Sequence, residues 1–238
     1  TTVLDILKQK NVPAAFFCTL SNIKAEPGLI ARMINEGHIV GNHSTTHPDF
    51  SKISREKMAT EIETCDNYLR EKFGYSSPYF RFPMGSYSAS ALDLVSSLGY
   101  KSVFWSVAYA DWDVNDTKGK QYAFDTVTSR LHPGAVILLH SVSPDNAAAL
   151  GDIIDWARKQ GYEFRSLEQL HQDARRQGAV ECVILRFGLL YGPGVVSTER
   201  MLRNLSRGRL WLPVPLTGTS SWIHVEDAVS ALTAALDE

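Results

Sequence analysis

Short apolar runs alternate with amphipathic segments along roughly the first 170 residues of the chain. Residues 14–20 form a continuous apolar run of strand length, whereas Val3, Ile6 and Leu7 are spaced at helical intervals. The alternation predicts strands at 14–20, 38–42, 79–83, 102–109, 134–140 and 162–166, and helices at 1–10, 27–37, 54–74, 88–99, 120–132, 146–161 and 167–177. Apolar strands between amphipathic helices are typical of a parallel sheet covered by helices. We therefore predict an α/β fold, either barrel-like or doubly wound.

Two of the predicted helices carry recognisable start and stop residues. Pro27 lies at the start of one helix and Gly37 just past its end, and Ser54 and Gly74 bracket the next helix as N-cap and stop. The buried face of the second helix is predicted to be the stripe Met58, Ile62, Cys65 and Leu69.

Composition and charge narrow the possible functions. With 44% apolar and 21% charged residues, the 238-residue chain has the composition of a soluble globular protein. A net charge of -2 provides no basic field, so we expect no nucleic-acid partner. No apolar run is long enough to span a bilayer, and no leader opens the chain. Because the chain begins at Thr1 inside a predicted helix and without Met, we expect the natural N-terminus to lie upstream. The chain has three cysteines, Cys18, Cys65 and Cys182. Their odd number and irregular spacing do not indicate a disulfide framework.

Polar residues with catalytic potential follow several predicted strands at the point where each strand ends. In parallel α/β proteins these ends converge at the active site. His43 and His47 form an H-x-x-x-H pair that could hold one divalent ion, or they could be hydrogen-bonded loop histidines. The other residues at strand ends are Arg81, Asp111, Trp112 and His140.

Four motifs in a fixed order make the pattern specific: EGHIVGNHSTTHPD, FRFPMGSYS, FWSVAYADWD and HPGAVILLHSVSPDNAAAL. Together they resemble the polysaccharide deacetylases, the NodB homology family or carbohydrate esterase family four. Within that family the motifs are most similar to the delta-lactam-biosynthetic de-N-acetylases, which act on muramic acid in the peptidoglycan of spore-forming bacteria. The resemblance covers about residues 1–170.

The resemblance implies a metal-dependent amide hydrolase acting on a polysaccharide. His43 and His47 match the metal-binding histidines, with zinc or a similar divalent ion expected. Arg81 matches the arginine that orients the catalytic base, and His140 the general acid for the leaving amine. The resemblance also implies that the backbone N–H of Met84 helps to hold the oxyanion and that Asp111 buttresses the arginine. It further implies that the ring of Trp112 lines the site and that Leu138 lines the pocket for the acetyl methyl.

One family motif is absent from the sequence. The resemblance places a T-F-D-D-G strand shortly before residue 1, with two aspartates that supply the catalytic base and the third metal ligand. We therefore expect an incomplete (β/α) barrel without its first strand, and little or no deacetylase activity from the chain as given. Intact family members work outside the cell or in the cell wall.

The tail resembles a different family. From about residue 178, GAVECVILRFGLLYGPG and SSWIHVEDAVSALTAAL resemble the C-terminal part of extended short-chain dehydrogenases, the NAD-dependent epimerase/dehydratase group. Neither a G-x-x-G-x-x-G loop nor a Y-x-x-x-K pair occurs in this tail, so we expect no NAD site. The matching residues are Tyr191, Gly192, Pro193, Gly194, His224, Val225, Asp227 and Ala228.

The simplest interpretation is a chain that joins two incomplete family pieces, a deacetylase region at 1–172 and an epimerase-like segment at 178–238. Two alternatives stay open from the sequence. The first is a catalytically silent carbohydrate-binding module, in which Arg81 and the aromatic residues hold a glycan without hydrolysing it. The second is an oxidoreductase or epimerase function seated in the tail.

Overall fold

A parallel four-stranded sheet organises the computed structural model, which describes residues 2–176, with side chains as far as residue 172. The strands lie in the order β1-β2-β3-β4 and are all parallel. They are β1 (Ala15–Cys18), β2 (Ile39–Asn42), β3 (Tyr79–Phe80) and β4 (Lys101–Ser102). The helices are α1 (Thr2–Lys10), α2 (Leu20–Ala25), α3 (Pro27–Asn35), α4 (Arg55–Phe73), α5 (Ala89–Ser97), α6 (Lys120–Thr128), α7 (Pro144–Lys159) and α8 (Leu167–Arg176). The predicted parallel α/β architecture is confirmed.

The helix boundaries follow from the residues predicted to set them. The Ser54 hydroxyl accepts a hydrogen bond from the Lys57 N–H, and Gly74 ends α4 in the left-handed conformation at φ 62°. Pro27 opens α3. The stripe predicted to be the buried face of α4 is buried, with each member at most 4% exposed.

The predicted strand at 14–20 is shorter than expected. It ends at Cys18 because the Thr19 side chain accepts a hydrogen bond from the Asn22 N–H and so caps α2, a helix that the apolar pattern did not predict. A hydroxyl at the N-cap satisfies an otherwise unpaired helical N–H, and here that local bond outweighs the strand propensity of the run.

The predicted strands at 102–109 and 134–140 are largely wrong as regular strands. After Ser102 the chain leaves β3, and the two segments meet at a single parallel bridge between Val107 and Ile137. The Val107 N–H donates to the Val136 carbonyl and the Leu138 N–H to the Val107 carbonyl, at 3.2 and 2.9 Å. The two segments therefore lie parallel to each other, but they share too few backbone hydrogen bonds to form a regular ladder.

The predicted strand at 162–166 is also wrong. This segment has no regular structure, and Phe164 packs instead on a cluster formed by Leu7, Val12 and Ile154. The apolar side chain of Phe164, which suggested a strand, is thus partly buried against α1 and α7 without strand pairing.

Aromatic packing at the end of β3 forms the largest part of the core. Phe50, Phe80 and Phe82 are fully buried, and their ring centroids lie 5.1 to 5.6 Å apart. Phe80 belongs to β3 and Phe82 follows it directly, so the core holds the chain on both sides of Arg81.

The chain divides into two units, residues 1–169 and 170–238. The predicted domain boundaries at 172 and 178 stay a prediction, because residues 177–238 lie outside the described part. Cys182 and the tail residues from Tyr191 to Ala228 lie there too. No helix among the described residues is long and apolar enough to cross a membrane.

Gly41 permits the close pairing of β1 and β2. It lies opposite Phe17 in the register, and a Cβ at this position would overlap the Phe17 ring. We expect Gly41→Ala to lower the free energy of unfolding by about 1 to 3 kcal/mol, the usual cost of overpacking a core. The measurement is urea denaturation of the wild type and the variant.

Gly28→Ala is the matched control. A Cβ on Gly28, near the start of α3, would meet no atom within 4 Å. Its free energy of unfolding should stay within about 0.5 kcal/mol of the wild type. Equal stability of Gly41→Ala and Gly28→Ala would contradict the close contact.

Candidate active site

A loop after β2 carries the two histidines of the H-x-x-x-H pair. The ring centroids of His43 and His47 lie 4.8 Å apart, with the rings at 77°. His43 is buried, and its Nδ1 lies 2.7 Å from the carbonyl oxygen of Arg81. A carbonyl only accepts hydrogen bonds, so Nδ1 carries the hydrogen and the lone pair of His43 lies on Nε2. This is the tautomer that a metal-binding histidine needs.

The loop holds the pair in a conformation that L-residues rarely adopt. Ser44 and His47 have φ values of 72° and 59°. Such residues cost on the order of 1 to 3 kcal/mol each and persist only where their surroundings hold them. The Asn42 Oδ1 accepts from the Ser44 N–H at 2.9 Å, and the Ser44 hydroxyl accepts from the His47 N–H at 3.0 Å.

Arg81 is drawn against the histidine loop by the pairing of β2 and β3. Its N–H donates to the Asn42 carbonyl at 3.1 Å, and its Nη2 donates to the Nε2 of His43 at 3.1 Å. The guanidinium also lies over the ring of Phe17, at 5.5 Å. Within the described residues, no carboxylate lies within ion-pair distance of Arg81, and its buried Nε has no hydrogen-bond partner. Burial lowers the pKa of Arg81 to about 10.

The electrostatics of the site keep the histidine pair neutral. Burial, together with the charge of Arg81, lowers the pKa of His43 to about 3. The pKa of His47 is also lowered, first by burial and then by Arg81. His140 contributes to both shifts, so the three imidazoles and the guanidinium share one neighbourhood.

Asp111 and His140 form a second hydrogen-bonded pair. The Oδ1 of Asp111 lies 2.6 Å from the Nδ1 of His140, and its Oδ2 accepts from the His140 N–H at 2.7 Å. Burial raises the pKa of Asp111, but hydrogen bonds from His140 and Asn146 outweigh it and lower the pKa overall. The carboxylate therefore fixes the orientation of the imidazole through Nδ1.

The remaining predicted site residues lie around this pair and after β3. The Trp112 ring lies 5.9 Å from the ring of His140 and is 61% exposed. Met84 is 59% exposed, with φ 56°, in the 3-10 turn Pro83–Gly85 that follows Arg81. Leu138 is half-buried two residues before His140. The Asp111 carboxylate contacts His140 rather than Arg81. Asp111 was predicted to buttress Arg81, but among the described residues no hydrogen bond joins the two side chains.

Three residues that the sequence analysis did not single out hold this arrangement. Asn146 Nδ2 donates to Asp111 Oδ2, and the Tyr109 hydroxyl donates to Asn146 Oδ1, both at 2.5 Å. Glu61 accepts hydrogen bonds from the histidine loop. The sequence does contain a signal for Glu61, because an acidic residue between Met58 and Ile62 on the apolar face of α4 must have a buried partner.

Comparisons with known proteins agree with the motifs. The model of the family described as polysaccharide deacetylase matches residues 1–103. A chitooligosaccharide deacetylase of Bradyrhizobium is 32% identical over 184 residues, which cover 71% of this chain and 83% of the relative. The chain belongs to the polysaccharide deacetylase family. The resemblance that the four motifs indicated is thereby confirmed.

Two further matches concern Bacillus subtilis PdaA, a peptidoglycan-N-acetylmuramic acid deacetylase. The curated protein is 44% identical over 169 residues, and the chain spans 64% of its length and 71% of its own. The solved structure of PdaA, described as a family 4 carbohydrate esterase, matches with a TM-score of 0.70 at 43% identity, covering 72% of this chain and 74% of that chain. A second family model, NAD dependent epimerase/dehydratase, matches residues 161–238 and confirms the resemblance of the tail.

The family's expected metal fits the site in part. His43 and His47 present two imidazoles in one loop, and the tautomer of His43 suits a ligand. Among the residues that the structure describes, however, no group of three His, Cys, Asp or Glu side chains could hold an ion. The guanidinium of Arg81 also donates to the Nε2 of His43, so an ion would have to displace that hydrogen bond.

The low pKa of His43 predicts a loss of stability in acid. Because its pKa falls from 6.5 to about 3, the unfolded chain takes up a proton between these values that the folded chain does not. Stability is therefore full above about pH 6.5 and falls as the pH drops. Between about pH 7 and pH 5, the wild type should lose about 1 to 2 kcal/mol more free energy of unfolding than His43→Asn.

Urea denaturation with a chelator present measures this difference. His43→Asn leaves His47 and every carboxylate in place, so their titrations cancel in the comparison. Parallel stability curves for the two proteins would show that His43 is not held neutral by burial.

Proposed function

We propose that residues 1–172 carry the active site of a metal-dependent N-deacetylase that hydrolyses acetamide groups of peptidoglycan or another N-acetylated polysaccharide. The observation that carries the proposal is the neighbourhood of the neutral His43–His47 pair, Arg81 and the Asp111–His140 pair. The names of the relatives, which are peptidoglycan and chitooligosaccharide deacetylases, support this substrate class. A polysaccharide of the cell wall would place the protein outside the cytoplasm.

His140 acts as the general acid in this proposal. Asp111 holds Nδ1 and stabilises the charged imidazolium, so that Nε2 can donate a proton to the amide nitrogen as the C–N bond breaks. An amine leaves poorly without that proton. The products are acetate and the free amino sugar.

His43 and His47 would hold the divalent ion, zinc or a similar metal. Such an ion supplies Lewis-acid polarisation of the acetyl carbonyl. The backbone N–H of Met84 provides a donor for the carbonyl oxygen as it gains charge. Leu138 lines the pocket for the acetyl methyl, and the exposed ring of Trp112 provides an apolar face for the sugar.

We further propose that the chain as given is impaired. Its 238 residues contain no two adjacent aspartates, and among the described residues Arg81 has no carboxylate to orient. Two imidazoles bind zinc less tightly than a three-ligand site, and the attacking water has no positioned base.

The test compares acetate release from peptidoglycan by three proteins. They are the chain alone, the chain extended at its N-terminus by a strand with two adjacent aspartates, and the same extension with asparagines. A positioned general base contributes about 10²- to 10⁴-fold, so the aspartate extension should release acetate at least about 100-fold faster than the other two.

His140→Asn in the aspartate-extended protein is the control for chemistry at the proposed site. It should abolish the gained activity, because the leaving amine then has no proton donor. Equal acetate release from the unextended chain would overturn the proposed impairment, and activity that survives His140→Asn would overturn the proposed acid.

A second candidate function is glycan binding without hydrolysis. It is favoured by the high exposure of Trp112 and Met84 beside Arg81 and His140, a rim suited to holding a sugar. We expect Trp112→Ala to weaken binding of an N-acetylated oligosaccharide about tenfold in calorimetry with a chelator present, since packing on one aromatic ring is worth on the order of 1 kcal/mol. Affinity that persists with chelator, together with no acetate release from the extended chain, would favour this function over the hydrolase.

A further inference from the structure

A buried carboxylate on α4 faces the histidine loop. Glu61 is only 1% exposed and lies between Met58 and Ile62 on the apolar face of the helix. Burial raises the pKa of Glu61, but hydrogen bonds from Thr46 and Lys57 outweigh it and lower the pKa below its ordinary value. A buried carboxylate is costly unless it is fully hydrogen-bonded. The hydrogen-bond partners of Glu61 therefore indicate its structural role.

The partners of Glu61 come mainly from the loop between His43 and His47. The Oε2 accepts from the N–H groups of Thr45 and Thr46, at 3.0 and 2.7 Å. The Oε1 accepts from the Thr46 hydroxyl at 2.8 Å, and the backbone carbonyl of Glu61 accepts from the Thr45 hydroxyl at 2.9 Å. Four hydrogen bonds thus tie two consecutive loop residues to one helical residue.

A purely helical role does not explain these contacts. The only partner of the Glu61 carboxylate on its own helix is Lys57, at 3.1 Å, and Lys57 is half exposed. Solvent at the half-exposed Lys57 screens this i,i+4 pair and reduces its contribution. The loop partners lie fifteen and sixteen residues away in sequence, so the carboxylate joins the helix to the site rather than stabilising the helix alone.

The tied residues lie between the two strained positions of the loop. Thr45 and Thr46 separate Ser44 and His47, whose φ values are both positive. The loop passes through the left-handed region at both ends of this pair, and Glu61 fixes the two N–H groups in between. Asn42, which donates to the Ile62 carbonyl of α4, holds the start of the loop through Ser44, and Glu61 holds the two residues between the strained positions.

We propose that Glu61 is the positioning residue of the histidine pair: its carboxylate fixes the loop so that His43 and His47 present their rings to a single divalent ion. The contacts of Glu61 carry the positioning role, and the identity of the ion rests on the function proposed above. Removal of a residue that orients metal ligands typically costs about 10- to 100-fold in metal affinity.

Zinc titration by calorimetry tests the proposal on the full chain. Glu61→Ala should weaken zinc binding by about 10- to 100-fold. Glu61→Gln should lose less, because its amide oxygen can still accept from the loop N–H groups while its NH₂ group cannot accept from the Thr46 hydroxyl. Glu63→Ala removes an exposed acid from the same helix and should bind zinc within about twofold of the wild type.

A readout without metal separates positioning from the proposed function. In the wild type, protons of the His43 and His47 rings should show a nuclear Overhauser contact, and the Thr45 and Thr46 amides should exchange slowly. Glu61→Ala should lose both, whereas Glu63→Ala should keep them. If the wild type binds no zinc, the proposed metal site fails, and the ring-to-ring contact alone decides the role of Glu61.

Thr46→Val covers the case in which Glu61→Ala does not fold. It deletes only the hydroxyl that donates to Oε1, and it should lower zinc affinity and speed exchange of the Thr46 amide in a folded protein. Folded Glu61→Ala with wild-type zinc affinity and an unchanged ring-to-ring contact would overturn the proposal. So would loss of stability in Glu61→Ala without any change at the histidines.

Discussion

The parallel pairing of Asn42 with Phe80 is the contact on which the site depends. It aligns the ends of β2 and β3, so that the residues immediately after them, His43 and Arg81, become neighbours. The Arg81 N–H then donates to the Asn42 carbonyl, and the Arg81 carbonyl accepts from His43 Nδ1. Strand register therefore determines the tautomer of an imidazole, and through it the chemistry that the imidazole can perform.

Each half of the site is completed by one buried polar side chain. Glu61 does this for the histidine loop, and Asn146 does it for the Asp111–His140 pair. Both lie on helices rather than on strand-end loops. The loops supply the reactive groups, and the helices behind them supply the hydrogen-bond partners that give those groups a single geometry.

The sequence predicted the helices and the grouping of the candidate residues at the strand ends better than it predicted the strands or the contacts. Caps such as Ser54 and Gly74 act locally, so their effect can be read from neighbouring residues. The segment 102–109 resembled a strand by composition, yet its hydrogen bonds depend on where residues 134–140 lie. The bond between Arg81 and His43 joins residues 38 positions apart, and no local pattern encodes it.

The burial of His43 beside a guanidinium also determines how protons compete for this site. An ordinary histidine gives up its lone pair to a proton in mildly acidic surroundings. Burial, and then the charge of Arg81, lowers the pKa of His43 to about 3, so its Nε2 stays unprotonated in mild acid. The same charge disfavours any incoming cation. The arrangement thus disfavours a proton and a metal cation at Nε2 alike, and a neighbouring negative charge would offset the effect of the guanidinium on both.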